Sequence, residues 1–339
     1  MSPSEQSETV RDRCLFRTTS ETKRLVVFAD IGQIAPAVLL PALADVVALR
    51  RDVRLVAVYL VRPVGGMLRR FATRGARRMQ VLLGSGRWER ALDVVAADPV
   101  AAIAGRGIPV RWLPSGDPNA PSVLASLREE FGASCGLNLY CMHRFRLPLL
   151  AALGRTINYH NGALPGMRGV RASNWSIYLG HSHSGYAFHE MSEALDDGRI
   201  LIEGEVELAR GESAADLELR KALEAAARLP ALVDAIASDA AGRGQTGVVG
   251  YFSRADWLRI CRVDEPGSLD AGEWFRRIEA FLKVETVIEG RHVQVTGIRR
   301  TRPGTRPGFM TSDGQWLQVT AIAFWPAWVS RLGLAGGSH

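Results

Sequence analysis

Residues 24–60 read RLVVFADIGQIAPAVLLPALADVVALRRDVRLVAVYL. Arg24 to Ala29 is a short β-branched run, Gly32 follows it, and from Ile34 to Leu49 the apolar residues recur at helical spacing. Val53 to Leu60 is a second run of strand character. The alternation continues outward from there. Ile108 to Leu113 reads as a third strand, a helical stretch from Ser122 to Phe131 leads into Cys135 to Met142, and Leu147 to Leu153 leads into Thr156 to His160. Strands that alternate with helices imply a parallel sheet with helices on both faces.

The fold class expected is therefore α/β, with a Rossmann-like, mostly parallel sheet. At 339 residues the chain is longer than a typical single domain, so a smaller companion is expected. The pattern changes after about residue 210. Ser213 to Asp239 is alanine-rich and helical, and Ala241 to Gly247 is a polar break containing glycine. From Glu285 onward the runs VETVI, HVQVTGI and WLQVTAI alternate as short strands, with turns at Glu289-Gly290, between Arg302 and Gly308, and at Asp313-Gly314. The expected organisation is a flexible tail over 1–22, a catalytic domain over 23–210, a helical linker over 211–249, and a small β-barrel-like (OB-like) accessory domain over 250–339.

Composition narrows the class. The 47% apolar content suits a globular protein, and no apolar run approaches the roughly 20 residues needed to cross a bilayer. Residues 1 to 22 are polar with no apolar stretch, unlike a secretory signal, so a cytoplasmic location is expected. Cys14, Cys135, Cys141 and Cys261 are scattered without metal-ligand spacing and read as buried thiols. The formal charge of +7 is modest, but the arginines cluster, so an anionic partner or substrate group is in keeping with it.

The chemistry is concentrated in residues 157–200, INYHNGALPGMRGVRASNWSIYLGHSHSGYAFHEMSEALDDGRI. This segment begins at a strand end, where open α/β sheets gather their sites. Asn158 and His160 are two apart in an extended run, so both side chains point to one face. Asp196 stands in the turn-prone Asp196-Asp197-Gly198. A carboxylate beside an imidazole orients the ring and favours its charged form. An Asn donor with a His that can be cationic can stabilise a developing oxyanion, and a carboxylate can manage an attacking group's proton. Such equipment suits acyl transfer to an amine. Each residue alone is more simply a local hydrogen-bonding group or a turn residue; only the combination points to chemistry.

That combination resembles the core motif of the folate-dependent formyltransferases, which act on glycinamide ribonucleotide, methionyl-tRNA and amino sugars. In that family an Asn-x-His pair ends a strand, followed by Leu-Pro, Arg-Gly, a Trp, a Gly, a second His and Asp-x-Gly-x-Ile. The corresponding residues here are Asn158, His160, Leu164-Pro165, Arg168-Gly169, Trp175, Gly180, His189 and Asp196 to Ile200. The opening strand and helix are also similar to the family's, and SLDAGEWFRRIEAF at 268–281 resembles the accessory domain of the tRNA and sugar enzymes.

The resemblance implies that Asn158, His160 and Asp196 are catalytic and that 10-formyltetrahydrofolate is the formyl donor. It implies contacts to that donor from Leu139, Tyr140, Met142, Leu195, Asp197 and Gly198. Acceptor contacts are implied for Leu164, Pro165, Arg168, Trp175 and His189. No metal is implied. The family's Ser-Leu-Leu-Pro is Gly162-Ala163-Leu164-Pro165 here, the Tyr before Arg-Gly is Met167, and Arg171-Ala172-Ser173 lacks a Pro found in the family. These changes fall on the acceptor side. The acceptor implied is a small or carrier-linked amine, such as an amino sugar or an amino acid derivative. An aminoacyl-tRNA acceptor is the alternative, and a non-catalytic folate-binding paralogue or a formyl-folate hydrolase are further ones.

Residues 62–83 carry Arg62, Arg69, Arg70, Arg74, Arg77 and Arg78, and as a helix would set the arginines from Arg69 onward opposite an apolar face of Leu68, Phe71, Met79 and Leu82. A surface helix is the plainer account and a grip on phosphate the sharper one. Arg299, Arg300, Arg302 and Arg306 add a second basic cluster, and Trp325 and Trp328 an aromatic tail. For the small-acceptor reading, acceptor affinity is expected to depend only weakly on salt, because few phosphate charges are engaged. Filter binding of initiator tRNA at low and moderate salt checks this; tight, steeply salt-dependent binding would overturn it.

Overall fold

The computed structural model describes residues 21–61 and 99–323. The arginine-rich segment 62–83, Cys14, Trp325, Trp328 and most of the expected 1–22 tail lie outside the described residues. Five strands form the parallel part of the main sheet: β1 (Lys23–Ala29), β2 (Val53–Leu60), β3 (Val110–Trp112), β4 (Cys135–Leu139) and β5 (Arg155–His160). The sequence expectation for these five stands, with β2 unchanged and no end of the others moved by more than three residues. β1 is buried from Leu25 to Ala29 without alternation, as a strand covered on both faces must be.

Two further strands complete a seven-stranded sheet of order β3-β2-β1-β4-β5-β7-β8. β7 (His183–Glu190) runs antiparallel to β5, and β8 (Ile200–Glu207) antiparallel to β7. These two strands add to the five expected from the sequence. β8 forms an edge, and Glu203, Glu205 and Glu207 are exposed along it, a charge pattern that discourages pairing with another chain.

The helices lie on both faces. On one, α1 (Ile34–Ala48) packs with α6 (Ala214–Ala227) and α7 (Leu229–Ala237) over Leu25, Val27, Leu137 and Ile157. On the other, α3 (Pro121–Glu129) and α4 (Leu147–Leu153) cover Val26, Phe28 and Tyr59. Between them in sequence, α2 (Pro99–Ala104) buries Ile103 in the first core. Residues 211–249, expected as a helical linker, thus carry two helices, separated near Arg228 where Pro230 starts the second. Ala222, Ala225, Leu229, Leu232, Val233 and Ile236 from these helices are part of the main core.

The order of strands fixes where a site can form. From β1 the chain moves outward to β2 and β3, then crosses back to place β4 on the other side of β1. Loops leaving the ends of β1 and β4 therefore diverge and open a crevice at the carboxyl edge of the sheet. β5, with Asn158 and His160 near its end, lies next to β4.

A short parallel ladder pairs β6 (Arg168–Gly169) with β9 (Tyr251–Phe252), tying the loop after β5 to the start of the C-terminal unit. α5 (Ala172–Tyr178) belongs to the same joint. Trp175 stacks on Phe252 with centroids 4.7 Å apart, and Asn174 donates to the Ala280 carbonyl at 2.7 Å. After α8 (Arg254–Ile260) the chain forms β10 (Arg262–Val263), α9 (Ala271–Phe281), β11 (Val284–Ile288), β12 (Arg291–Thr301), β13 (Gly308–Met310) and β14 (Trp316–Ala323). The five strands make a separate sheet, β10-β11-β12-β14-β13, and the Glu289-Gly290 turn has positive φ at both residues, as a tight hairpin requires. β10 and β13 end the row and do not pair with each other among the described residues, so the expected barrel is seen here as a small sheet with a helix packed on it.

Trp274 of α9 is fully buried among Val263, Val284 and Leu317, and its indole N–H donates to the Pro266 carbonyl at 3.0 Å. Trp274→Ala is expected to destabilise this unit by about 3–5 kcal/mol through the cavity it leaves. Urea denaturation monitored by fluorescence checks it; an unchanged midpoint would contradict this account of the core.

Candidate functional site

Three neighbouring strands supply the first part of the site. In register, Asn138 of β4 lies opposite Asn158 of β5, and Asn158 lies opposite His189 of β7. Since residues in register share a face of the pleat, three polar side chains form one row across the sheet. Their hydrogen bonds have one consistent direction. Asn138 accepts from the Cys141 N–H at 2.8 Å and donates through Nδ2 to Asn158 Oδ1 at 2.9 Å. Asn158 Nδ2 then lies 3.0 Å from His189 Nε2, while His189 Nδ1 lies 2.9 Å from the Glu190 carbonyl. A carbonyl only accepts, so His189 carries its proton on Nδ1 and takes the Asn158 N–H on Nε2. One Asn158 N–H is thereby used and the other is left as a donor.

His160 is two residues along the same face, with only 7% of its surface exposed. Its Nε2 lies 2.7 Å from the Met167 carbonyl, which requires a proton there, and its Nδ1 faces Asp196 Oδ1 at 3.5 Å. That separation exceeds a charge-assisted hydrogen bond, so it suits a neutral ring with Nδ1 unprotonated. Burial pushes the His160 imidazole below its ordinary value, with the Asp196 carboxylate working against that shift.

Asp196 reaches these rings from a turn. Its φ of 51° is in the left-handed region, which a short polar side chain tolerates. Oδ1 lies 3.4 Å from His189 Nε2 as well as 3.5 Å from His160, and Oδ2 accepts the Gly169 N–H at 2.9 Å. Burial works to raise this carboxyl, but the two imidazoles, protonated in the acid range where it titrates, and the Gly169 N–H prevail and hold it at about 2. It is ionised throughout the neutral range.

The turn itself is clamped. Gln245 donates to the carbonyls of Asp196 and Gly198, both at 2.8 Å, and accepts from Arg168 at 2.7 Å, while Arg168 also pairs with Asp197 at 2.5 Å. A Cβ on Gly198 would fall 1.7 Å from the Glu190 carbonyl oxygen, so this approach of backbone to backbone requires glycine.

The structure therefore brings Asn158, His160, Asp196 and His189 together, with Arg168, Asp197 and Gly198 bracing the turn. Met142 and Leu195 are 68% and 58% exposed. Tyr140 has φ 64° and packs against the main core. Other expected contact residues have their side chains elsewhere. Leu139 is fully buried in the main core, Leu164 packs on Ala187 and Ile200, and Trp175 is in the joint with Phe252 and Phe281. Pro165 is buried and accepts the Gly250 N–H at 3.1 Å.

Asn138 and Gln245 were not among the expected site residues. A lone Asn within the buried run CGLNL was a signal for the first; Gln245, in a polar break far along the chain, offered none. A hollow of about 440 Å³ at the far end of the sheet is lined by Thr22, Arg50, Arg51 and Arg106. It lies away from this cluster, and Arg50 and Arg106 are engaged there by Asp52, Asp234 and Asp45.

Residues 147–233 match the family model described as Formyl transferase. Over 130 residues the chain is 28% identical to GDP-perosamine N-formyltransferase of Brucella melitensis, an alignment covering 37% of this chain and 50% of that protein. The chain thus spans about half the length of the curated relatives it matches first. A sugar N-formyltransferase from a Shewanella species superposes with a TM-score of 0.57 at 15% identity, covering 81% of this chain and 97% of that one. The N-formyltransferase from Helicobacter canadensis, solved with folinic acid and dTDP-3-aminofucose, gives 0.54 at 15% identity, covering 89% and 99%. At such identities the two structures establish a shared fold.

Because Asp196 is held below its ordinary value of 3.8, the stability it contributes is full above that pH and is lost as pH falls towards about 2. Asp196→Asn removes the titrating group. The stability gap between wild type and this variant is expected to narrow between pH 4 and pH 2 in urea titrations. A gap constant over that window would show that Asp196 is not held by these partners.

Proposed function

We infer that this chain, whose residues 147–233 belong to the formyl transferase family, is an N-formyltransferase that uses 10-formyltetrahydrofolate to formylate the amine of a nucleotide-linked amino sugar. The observation that carries the reading is one ionised carboxylate, Asp196, within 3.5 Å of two imidazoles and next to an Asn whose second N–H remains available. The amino-sugar acceptor is supported by the Brucella relative, whose name specifies such an acceptor, and by the fold shared with sugar N-formyltransferases.

The donor's chemical contribution is an activated formyl carbon. The residues on its side suit a flat heteroaromatic ligand: Met142 and Leu195 expose large apolar surfaces beside the backbone of 139–142 and 194–198. Asn158 has its amide oxygen occupied by Asn138, so it can only donate, and it meets the formyl oxygen as negative charge grows there. Its orientation is set before the substrate arrives, and no reorganisation is needed during reaction.

The attacking amine must lose a proton as its nitrogen bonds to the formyl carbon. Asp196, ionised and already oriented by Gly169, accepts that proton, directly or through water. His160 Nδ1 is adjacent to the same carboxylate oxygen, so the pair can hold the proton between them. The leaving nitrogen of the folate then takes it when the old carbon–nitrogen bond breaks, and the proton count closes. While His160 holds the proton, before it passes to the leaving nitrogen, the charge of the ring adds a through-space attraction for the oxyanion to that of the Asn158 donor.

His160→Ala and Asp196→Ala are each expected to lower formyl transfer by about a hundredfold or more with folate binding largely kept, because both act on charge that develops only during reaction. Asn158→Ala is expected to act in the same direction. Steady-state kinetics with a folate-binding control check this, and wild-type turnover in any of the three refutes its role. For the acceptor, a thermal-shift screen with a stable folate analogue present is expected to show further stabilisation by a nucleotide-linked amino sugar. Stabilisation by amino acids or tRNA instead overturns the acceptor class.

A further inference from the structure

Lys221 of α6 has no exposed surface, and the chemistry described so far makes no use of it. It stands on the inward face of the helix with Leu217, Ala222 and Ala225, where an aliphatic residue would bury without cost. A buried ammonium is expensive unless its hydrogen bonds do something that apolar packing cannot.

Its two hydrogen bonds identify what that is. Nζ donates to the Asn161 carbonyl and to Ser184 Oγ, both at 3.0 Å. Asn161 follows His160 directly, at the point where β5 becomes a loop. Ser184 is on β7 and lies 3.0 Å from Ser176 Oγ, which donates in turn to the Ala172 carbonyl at the start of α5. Asn161 Nδ2 also donates to Ser173 Oγ at 2.9 Å. Lys221 therefore holds the start of the loop that runs from Asn161 to Arg171 directly, and is linked to its end through Ser184 and Ser176. That loop supplies the Met167 carbonyl that holds His160 and the Gly169 N–H that holds Asp196.

We propose that Lys221 is a positioning residue for the transfer site: it anchors the 161–171 loop at its start, and through Ser184 and Ser176 at its end, and thereby sets the spacing of His160 and Asp196. It touches neither substrate nor donor. The inference rests on the functional reading above only for its kinetic consequence; the geometric consequence for His160 is independent of it. The groups that face His160 are Asp196, His189 and Lys221, and those that face Lys221 are Glu218 and Glu212. Asp196 favours the charged ring, while Lys221 and His189 oppose it.

Lys221→Met keeps much of the side-chain length and removes both the donors and the charge. In the full chain, with melting curves and circular dichroism confirming a folded protein, kcat is expected to fall at least about tenfold, with KM for the folate donor little changed, because misplacement acts on the reacting geometry. The His160 imidazole, followed by NMR across pH, is expected to titrate at higher pH than in wild type, since a nearby cation is gone. Ser184→Ala, which removes one of the two anchors and leaves the lysine charge, is expected to lower kcat less and to leave the titration nearly in place; it also serves if Lys221→Met does not fold. Wild-type kcat together with an unmoved His160 titration in Lys221→Met overturns the proposal, as does wild-type kcat in Ser184→Ala if that is the only folded variant. If wild type transfers no formyl group, the functional reading fails, but the His160 titration still tests whether Lys221 bears on the site.

Discussion

A single ionised carboxylate facing two imidazoles governs the arrangement of this site. Asp196 is mostly buried, and an isolated charge there would be costly. The Gly169 N–H donates to Asp196 Oδ2, and Oδ1 faces ring nitrogens of His160 and His189 that favour the charge once they are protonated. Each of these partners is fixed by something else: His160 by Met167, His189 by Glu190 and Asn158, and Gly169 by its ladder with Phe252. The charge is tolerable only while all of them hold, which couples three strands, a loop and the entry to the C-terminal unit.

The fold provides that coupling through register. Asn138, Asn158 and His189 face one another because β4, β5 and β7 are aligned there, and a slip of one residue would turn the row to the opposite face. β7 runs antiparallel to β5 and leaves it opposite Ile157, so the turn that follows has to fold back for Asp196 to reach His160. The close passage of Gly198 over Glu190 lets that turn lie flat against the sheet.

The segment after α7 has a part in the same arrangement. Gln245 spans the Asp196 turn and Arg168, and the following residues form β9 beside β6. The C-terminal unit is thus joined to the loop that serves the site, with Trp175, Phe252 and Phe281 packed at the joint. The aromatic ring of Trp175 stabilises that joint, while Arg168 of the same loop is engaged by Gln245 and Asp197.

The five parallel strands were legible in the sequence because strands buried on both faces read as unbroken apolar runs, as in β1 and β2. The pairing of Asn158 with His160 on one face followed from the period of a strand, and β11 was read to the residue because Glu289-Gly290 marks its end. Tertiary structure alone decided the rest. β7 and β8 carry local signals, the apolar Tyr186-Ala187-Phe188 and the alternation through Glu203, Glu205 and Glu207, but their place beside β5 and their antiparallel direction come only from long-range pairing. Whether Ser213 to Asp239 spaces two domains or covers a sheet depends on what its apolar face meets, which periodicity does not say. Gln245 and Lys221 act through backbone carbonyls, and a carbonyl has no residue identity to leave a pattern in the sequence. The sequence by itself determined which chemical groups are present and which face of β5 bears them; the distances that make Asp196, His160 and Asn158 one site came from strand register and chain return, which arise only when distant segments pack.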